Sequence, residues 1–293
     1  MDVSIIIVNY NTKELIRNCL KSVFDQIKDV SFEVIVSDNG SKDGSVEMIK
    51  AEFPQVVLIE NNANLGFGKA NNIGSKNAIG KYLFFLNSDT LLTSNVLELF
   101  IEYANTHENE SGIIGGNLID ANGKPVHSCR KNYSIKNNEF KKIFDKIYLK
   151  IKKQRRDYNY LSKPLEVDFV SGADMFIKKD FFMNTGGFDE SFFMYYEDFD
   201  LCIRCKKNGK KIISLPTVKI THLEGASSKD NLKKYEMITK SKYHLYKKYV
   251  PKSFSFLHYL CQLKYILLII IQRKIAIEKI KINYRLYKNE LLH

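Results

Sequence analysis

The sequence predicts an α/β protein, with a mainly parallel central sheet and helices on both of its faces. Three observations carry the prediction. Tyr82–Leu86 is a run of five large apolar residues, too short for a core helix and suited to a strand buried on both faces. Similar runs precede it at Val3–Asn9, Phe32–Val36 and Val56–Ile59, with helical periodicity between them, which is the pattern of parallel βαβ units. All four runs end in Asn, Asp, Ser or Gly, so their polar ends share one rim, where open α/β sheets bind ligands.

The first strand ends in Asn9-Tyr10-Asn11, and Thr12 is placed to cap a helix in which Leu15, Ile16, Cys19, Leu20, Val23 and Phe24 share a face. The second runs into Ser37-Asp38-Asn39-Gly40-Ser41-Lys42-Asp43-Gly44-Ser45, where the next helix starts. The third leads to Asn64-Leu65-Gly66-Phe67-Gly68-Lys69-Ala70-Asn71-Asn72. A dinucleotide fingerprint would follow the first strand and carry a third glycine; these glycines follow the third strand, and Asn71 stands in that place. The fourth strand ends in Asn87-Ser88-Asp89, turn formers that also offer a hard oxygen to a divalent cation.

Further on, Ile113–Ile119 and Val126–Cys129 flank Asn122-Gly123 and read as a hairpin. Phe140, Ile143, Phe144, Ile147 and Ile151 form an apolar stripe on a helix whose other face is rich in Lys and Arg. It reads either as a solvated surface helix or as a membrane- or acceptor-facing insertion. Val167–Lys178 reads as a strand interrupted by a close-approach glycine, Gly172. A helix opens near Glu197, turns Leu201, Cys202 and Cys205 inward and stops at Gly209; Lys211–Leu215 and Val218–Thr221 are two more strands. Past Ser228 a helix spans Asn231–Tyr249, and Pro251 ends it. Phe254–Gln272 has Lys264 as its single charge, with His258 and Gln262 adding polarity, which suits an interfacial helix better than a spanning or soluble one.

The 293 residues, 44% of them apolar, suffice for one large domain with an appendage. The start of the chain shows no signal-peptide pattern, and five scattered cysteines fit reduced thiols in the cytosol. Cys202 and Cys205 have CxxC spacing with no second pair, and read as a buried helix face rather than a zinc or redox site. The net charge of +12 is concentrated in residues 130–156 and 229–293; the remaining body has 19 Lys and Arg against 27 acids. An acidic body is poorly suited to nucleic acid, whereas two basic segments suit an anionic membrane surface.

The succession Val8-Asn9-Tyr10-Asn11, Asp38–Ser45, Asn64–Asn72 and Asn87-Ser88-Asp89 resembles the family 2 glycosyltransferases of GT-A fold, nearest the rhamnosyltransferase-like branch that builds bacterial surface polysaccharides. Gly186-Gly187-Phe188-Asp189-Glu190, Tyr195–Leu201 and His222–Ser228 resemble the second half of that family, and the likeness covers about residues 3–228. It implies a glycosyltransferase domain over 1–228, with a nucleotide-sugar half at 1–118 and an acceptor half at 119–228 that carries the basic insertion at about 135–156. A basic, partly apolar helical region at 229–293 would follow.

Moving a sugar from a nucleoside diphosphate to a hydroxyl needs a held nucleotide, a stabilised leaving diphosphate and a base. Asp38 and the Asn9–Asn11 backbone are candidate readers of a pyrimidine base, uracil or thymine, with an Asx turn or helix cap as the lesser alternative for Asp38. Gly66 and Gly68 let backbone amides approach ribose or phosphate. By the resemblance, Val8, Asn39, Asn64, Phe67, Asn71, Asn72, Asn87 and Ser88 complete the nucleotide-sugar site. Asp89 is the first candidate ligand of Mn²⁺ or Mg²⁺, and the resemblance implies His222 as the second. Asn87 stands where an Asp-x-Asp triplet has a carboxylate, so a two-carboxylate grip is lacking. The resemblance puts Asp198 in the role of base for an inverting single displacement. Glu197 and Asp200 either hold the acceptor or cap the helix, and Gly172 is the further acceptor-side candidate.

The expected partners are a nucleotide-sugar donor, a glycan or lipid-linked acceptor and the inner face of a bacterial membrane, with homo-oligomerisation open and no nucleic acid. A sugar nucleotidyltransferase would carry a glycine-rich basic loop after the first strand, which Asn9-Tyr10-Asn11-Thr12 lacks; a non-catalytic sugar-binding protein on the same scaffold is the other alternative.

Overall fold

The computed structural model describes residues 1–131, 157–223, 231–251, 259 and 273–291, which fall into two compact units. Residues 1–131, 157–190 and 197–223 form the first, and 191–196 with the described residues beyond 230 form the second. In chain order the first unit begins with β1 (Val3–Asn9), α1 (Lys13–Gln26), β2 (Phe32–Asp38), α2 (Ser45–Glu52), β3 (Val57–Glu60), α3 (Phe67–Asn77), β4 (Tyr82–Asn87), β5 (Thr90–Leu92) and α4 (Val96–Thr106). It continues with β6 (Ser111–Ile119), β7 (Cys129–Arg130), β8 (Leu165–Val167), β9 (Phe169–Val170), β10 (Asp174–Lys178), α5 (Lys179–Asn184), α6 (Glu197–Lys207) and β11 (Lys211–His222). The second unit contains α7 (Asn231–Tyr249) and α8 (Arg273–Leu291).

The main sheet runs β3-β2-β1-β4-β10-β6-β11-β5, with β8 also paired to β11, and β7 and β9 form a separate ribbon. The four strands expected to be parallel are so, and the pairings Asn9↔Asp38 and Val8↔Asn87 bring their polar ends side by side. Beyond β4 the sheet departs from parallel: β10 lies antiparallel between β4 and β6, while β11 runs parallel to β6.

Alternation explains the core. Ile5 and Ile7 of β1, Val34 and Val36 of β2 and Phe84 and Leu86 of β4 share one cluster with Ile16, Leu20 and Val23 of α1 and Phe100 of α4. Phe100 stacks on Phe176 at 5.0 Å and tilts against Phe84 at 5.4 Å. Each of these fully buried rings contributes about 1.5–3 kcal/mol by leaving water. On the opposite face Phe85 packs against Phe182 and Phe188.

Four details differ from the sequence reading. Thr12 precedes α1 without capping it, because its hydroxyl is drawn to Asn9 Oδ1 at 2.6 Å; Asp43 Oδ2 accepts from Lys13 N instead, at 2.8 Å. The turn at Asn122-Gly123 forms, but its ladder is one bridge, Ile119↔Pro125, since β6 spends both edges on β10 and β11. Lys211–His222 is one strand rather than two, with a register shift between Ser214 and Lys219 that accommodates Pro216, which has no N–H to pair. Helix α4 and strand β5 were not foreseen.

In the second unit, α7 matches the expected Asn231–Tyr249, and Tyr243, Tyr246, Val250, Tyr259, Leu286 and Tyr287 build a small core with α8. Among the described residues no helix is long and apolar enough to cross a membrane. The expected basic helix at about 135–156 lies outside the described residues, as does Phe254–Gln272 apart from Tyr259.

Candidate active site

The rim formed by β1, β2 and β4 is built on a network of buried side-chain amides. Asn9, wholly buried, donates to Asp38 Oδ2 at 2.7 Å and to Ser41 Oγ at 3.0 Å. Asp38 Oδ1 accepts from Gly40 N and Ser41 N, at 3.0 and 2.8 Å, which is an Asx turn. Because Asp38 is 1% exposed and both of its oxygens are engaged, the geometry favours its loop-holding role. Asn39 donates to Gly66 O at 3.1 Å and so fixes the glycine turn ahead of α3. Asn71, also buried, closes on Phe67 O at 3.1 Å. Tyr10, Asn11 and Asn64 are exposed on this frame, Val8 and Phe67 half-buried, and Gly66 and Gly68 lie at the start of α3.

At the end of β4 the chain turns directly into β5, and β5 pairs with the end of β11 through His222↔Thr90. That pairing brings together two residues 133 positions apart in number: His222 Nε2 stands 3.2 Å from Asp89 Oδ1. Asn87 Nδ2 lies 3.5 Å from the same ring nitrogen, and Asn87 Oδ1 is buried with no hydrogen-bond partner among the described residues. Ser88 Oγ accepts from Thr12 Oγ1 at 3.1 Å.

This corner fits a divalent cation. Two ligands on adjacent positions of an octahedral ion, each at about 2.1 Å, stand about 3 Å apart, which is near the observed separation. A hard carboxylate, an imidazole and an orphaned amide oxygen form a donor set suited to such an ion when a diphosphate supplies the rest. Among the described residues no three His, Cys, Asp or Glu side chains gather into one cluster.

Near the start of α6, Gly172 N donates to Asp198 Oδ2 at 3.0 Å and Phe199 N to Asp198 Oδ1 at 2.7 Å. A Cβ added at Gly172 would lie 3.1 Å from Asp198 Cβ, so this is the close-approach glycine. The next residue ties the pair to the cation corner, since Ala173 O accepts from Asn87 N at 3.1 Å.

Burial and the adjacent Asp198 charge push the Glu197 carboxyl well above its usual range, and its Oε2 has no partner among the described residues. Burial raises the Asp198 carboxyl as well, and the Gly172 and Phe199 amides act against that rise. Asp200 is fully buried and takes Arg204 Nε at 2.7 Å, while Arg204 also donates to Thr185 O and Gly187 O. It anchors α6. Asn72 clasps the Phe188 backbone from both sides, at 2.8 and 2.9 Å, and Gly187, at φ +67°, leaves room for it. Just before α6, Tyr195 and Tyr196 sit at φ +70° and +71°, a conformation costing of order 1–3 kcal/mol each.

One pair near Asp198 escaped the sequence reading. His127 Nδ1 lies 3.0 Å from Asp157 Oδ2, and the ring stacks on Phe169 at 5.4 Å. The two residues are 30 positions apart with no motif between them, so spacing gave no signal.

The mixed α/β sheet thus carries a polar, cation-competent rim at the ends of its parallel strands. The family model described as "Glycosyl transferase family 2" matches residues 4–184, more than half of the chain, and the protein belongs to that family.

It is similar to the uncharacterised glycosyltransferase YfnE of Bacillus subtilis, 29% identical, over 71% of this chain and 61% of that protein's length, so the match spans about three-fifths of that relative. It is also similar to the N-acetylglucosaminyl-diphospho-decaprenol L-rhamnosyltransferase of Mycobacterium tuberculosis (25% identical, 67% of each chain) and to the rhamnosyltransferase WbbL of Escherichia coli (27%, 75% and 83%). Among solved structures, S. aureus TarS aligns with a TM-score of 0.55 at 17% identity, over 85% of this chain and 43% of that one. GalNAc-T7 with UDP, GalNAc and Mn²⁺ aligns with a TM-score of 0.62 at 16% identity, over 84% and 47%. These likenesses establish the GT-A fold.

Proposed function

We propose that the protein is an inverting, metal-assisted hexosyltransferase. In this reading it moves a sugar such as rhamnose from a UDP- or dTDP-sugar to a glycan or lipid-linked acceptor in bacterial surface-polysaccharide synthesis. One observation carries the reading: Asp198 hangs from Gly172, and the next residue, Ala173, pairs with Asn87 at the mouth of the Asp89–His222 corner. A base and a diphosphate-leaving corner are thus joined through two hydrogen bonds. The relatives named for rhamnosyl transfer support the sugar class, and the lipid diphosphate in the mycobacterial relative's name supports the acceptor class.

In the proposed reaction an acceptor hydroxyl oxygen bonds to the anomeric carbon as the bond from that carbon to the diphosphate breaks. The electron pair leaves with the diphosphate, and the hydroxyl proton passes to Asp198. Asp89 and His222, with Asn87, would hold a Mn²⁺ or Mg²⁺ ion, which when bound neutralises charge on the departing diphosphate. Tyr10, Asn11, Asn64 and the Gly66–Gly68 backbone line the nucleotide, while Asn9, Asp38, Asn39, Asn71 and Asn72 keep that lining in place. Glu197, buried beside Asp198 with its carboxyl pushed well above the usual range, would serve the acceptor as a hydrogen-bond donor. The two basic segments would hold the enzyme on the inner face of the cell membrane.

A panel of nucleotide sugars with Mn²⁺, read by thermal stabilisation, identifies the donor. Asp198→Asn is then expected to keep donor-induced stabilisation while transfer falls by about 10²–10⁴-fold. An Asp198→Asn enzyme with normal turnover would assign the base elsewhere.

A further inference from the structure

Residues 191–194, the last before Tyr195 and Tyr196, lie along one face of α7, and a cavity of about 380 Å³ opens there within the second unit. Lys233, Met237, Lys240 and His244 follow one another at intervals of four, three and four on the helix, so they share that face. Three contacts pin the facing segment. Ser191 Oγ and His244 Nε2 lie 2.7 Å apart, the buried Phe192 ring stands edge-on to the His244 ring at 4.7 Å, and Ser241 Oγ donates to Met194 O at 2.7 Å. With Phe192 turned inward, Phe193 is left 44% exposed at the cavity, in the company of Met194 and Met237.

The charge at this wall is positive. Lys233 and Lys240 line it against a single acid, Glu236, and Arg285 of α8 engages that carboxylate. Lys240 is exposed and has no ion-pair partner among the described residues. Ammonium groups beside an aromatic ring and two thioethers suit a ligand that is anionic at one end and apolar at the other. A neutral sugar asks instead for hydrogen-bond acceptors, and the one carboxylate here is already taken. We propose that the cavity binds the diphosphate and the first isoprenoid carbons of a lipid-linked acceptor, with Lys240 on the phosphates and Phe193 and Met237 against the chain. The proposal rests on the reading of the protein as a transferase with such an acceptor. The stretch that walls the cavity also leads into the proposed base, since Asp198 follows Met194 by four residues.

The test is calorimetric titration of the full chain with farnesyl diphosphate below its micelle-forming concentration, in EDTA so that no cation bridges a diphosphate to Asp89 and His222. Farnesyl diphosphate is expected to bind, and inorganic diphosphate and farnesol, each carrying one half of that ligand, to bind at least about 10-fold more weakly. Lys240→Ala should weaken farnesyl diphosphate by about 10-fold or more, and Lys240→Arg should keep most of the affinity. Phe193→Ala should weaken it by about 5-fold while leaving inorganic diphosphate unchanged. Both side chains are exposed, so neither variant threatens the fold. Unchanged affinity in Lys240→Ala overturns the proposal. So does inorganic diphosphate binding as tightly as the farnesyl form, which would mark a site for a bare anion, or dihexanoyl phosphatidylglycerol doing so, which would mark a site for any lipid headgroup.

A second measurement separates the proposal from the functional reading. If farnesyl diphosphate fails to bind while a UDP- or dTDP-sugar with Mn²⁺ still raises the melting temperature, the cavity is not the acceptor site and the transferase reading stands. If no nucleotide sugar stabilises the chain but farnesyl diphosphate binds through Lys240, the transferase reading fails and the cavity keeps its ligand.

Discussion

The amide of Gly172 donates to Asp198 Oδ2 at 3.0 Å across a gap that no Cβ occupies. Gly172 lies outside the left-handed region of φ, so Gly172→Ala changes the contact and not the permitted backbone. Its new methyl would start 3.1 Å from Asp198 Cβ and push the carboxylate off its amide donor. The expected outcome is a fall in kcat of about 10-fold to 100-fold with donor affinity unchanged. Steady-state kinetics beside donor titration checks it, and parallel losses in both would mark a general distortion instead.

Asp89 and His222 meet at 3.2 Å although 133 positions separate them. If they hold the cation together, Asp89→Ala and His222→Ala should each abolish the extra stabilisation that Mn²⁺ gives to UDP- or dTDP-bound protein. Differential scanning fluorimetry with and without the ion measures this. A Mn²⁺ effect of full size in either variant removes that residue from the ligand set.

Asp174 sits in the sheet with zero exposure, accepting Gly116 N at Oδ2 while Oδ1 has no partner among the described residues. Burial raises its carboxyl well above the usual value, so the folded protein holds a proton there more tightly than the unfolded chain does. Stability from this group is therefore fully present below the unfolded pKa, near 4, and declines as pH rises toward the folded value. Asp174→Asn should flatten that part of the dependence of Tm on pH, with its advantage over the wild type growing as pH rises above the unfolded value. A constant difference across that window would contradict the assignment.

The positive charge beyond residue 228 predicts association with vesicles containing anionic phospholipid and little with zwitterionic ones, weakening as salt screens the attraction. Sedimentation of the full chain with both kinds of vesicle, at low and high salt, is the measurement. Equal binding to both would point to an apolar rather than an electrostatic contact.

The left half of the sheet was legible because each parallel strand is a compact apolar run with a polar end, and burial on both faces leaves that mark in β1 and β4. The right half was less so. Strand β10 is inserted from a segment about 90 residues after β4, and no local pattern encodes that pairing. The Asp89–His222 contact came from motif resemblance, since nothing in either residue's surroundings announces the other. Asp38 and Asp200 also carry structural contacts that spacing does not reveal: one closes an Asx turn and the other pairs with Arg204. His127 and Asp157 were invisible because their partnership depends on the ribbon register and not on spacing.

The framework beneath the rim is made largely of asparagine: Asn9, Asn39, Asn71 and Asn72 each spend a side-chain amide on holding a loop. Amides do not ionise, so most of this lattice is indifferent to acid; among its named contacts Asp38, which accepts from Asn9 and from its own loop, is the carboxylate on which it depends. Acid should therefore loosen the frame first at the Asp38 loop, and a return to neutrality should restore it without any refolding.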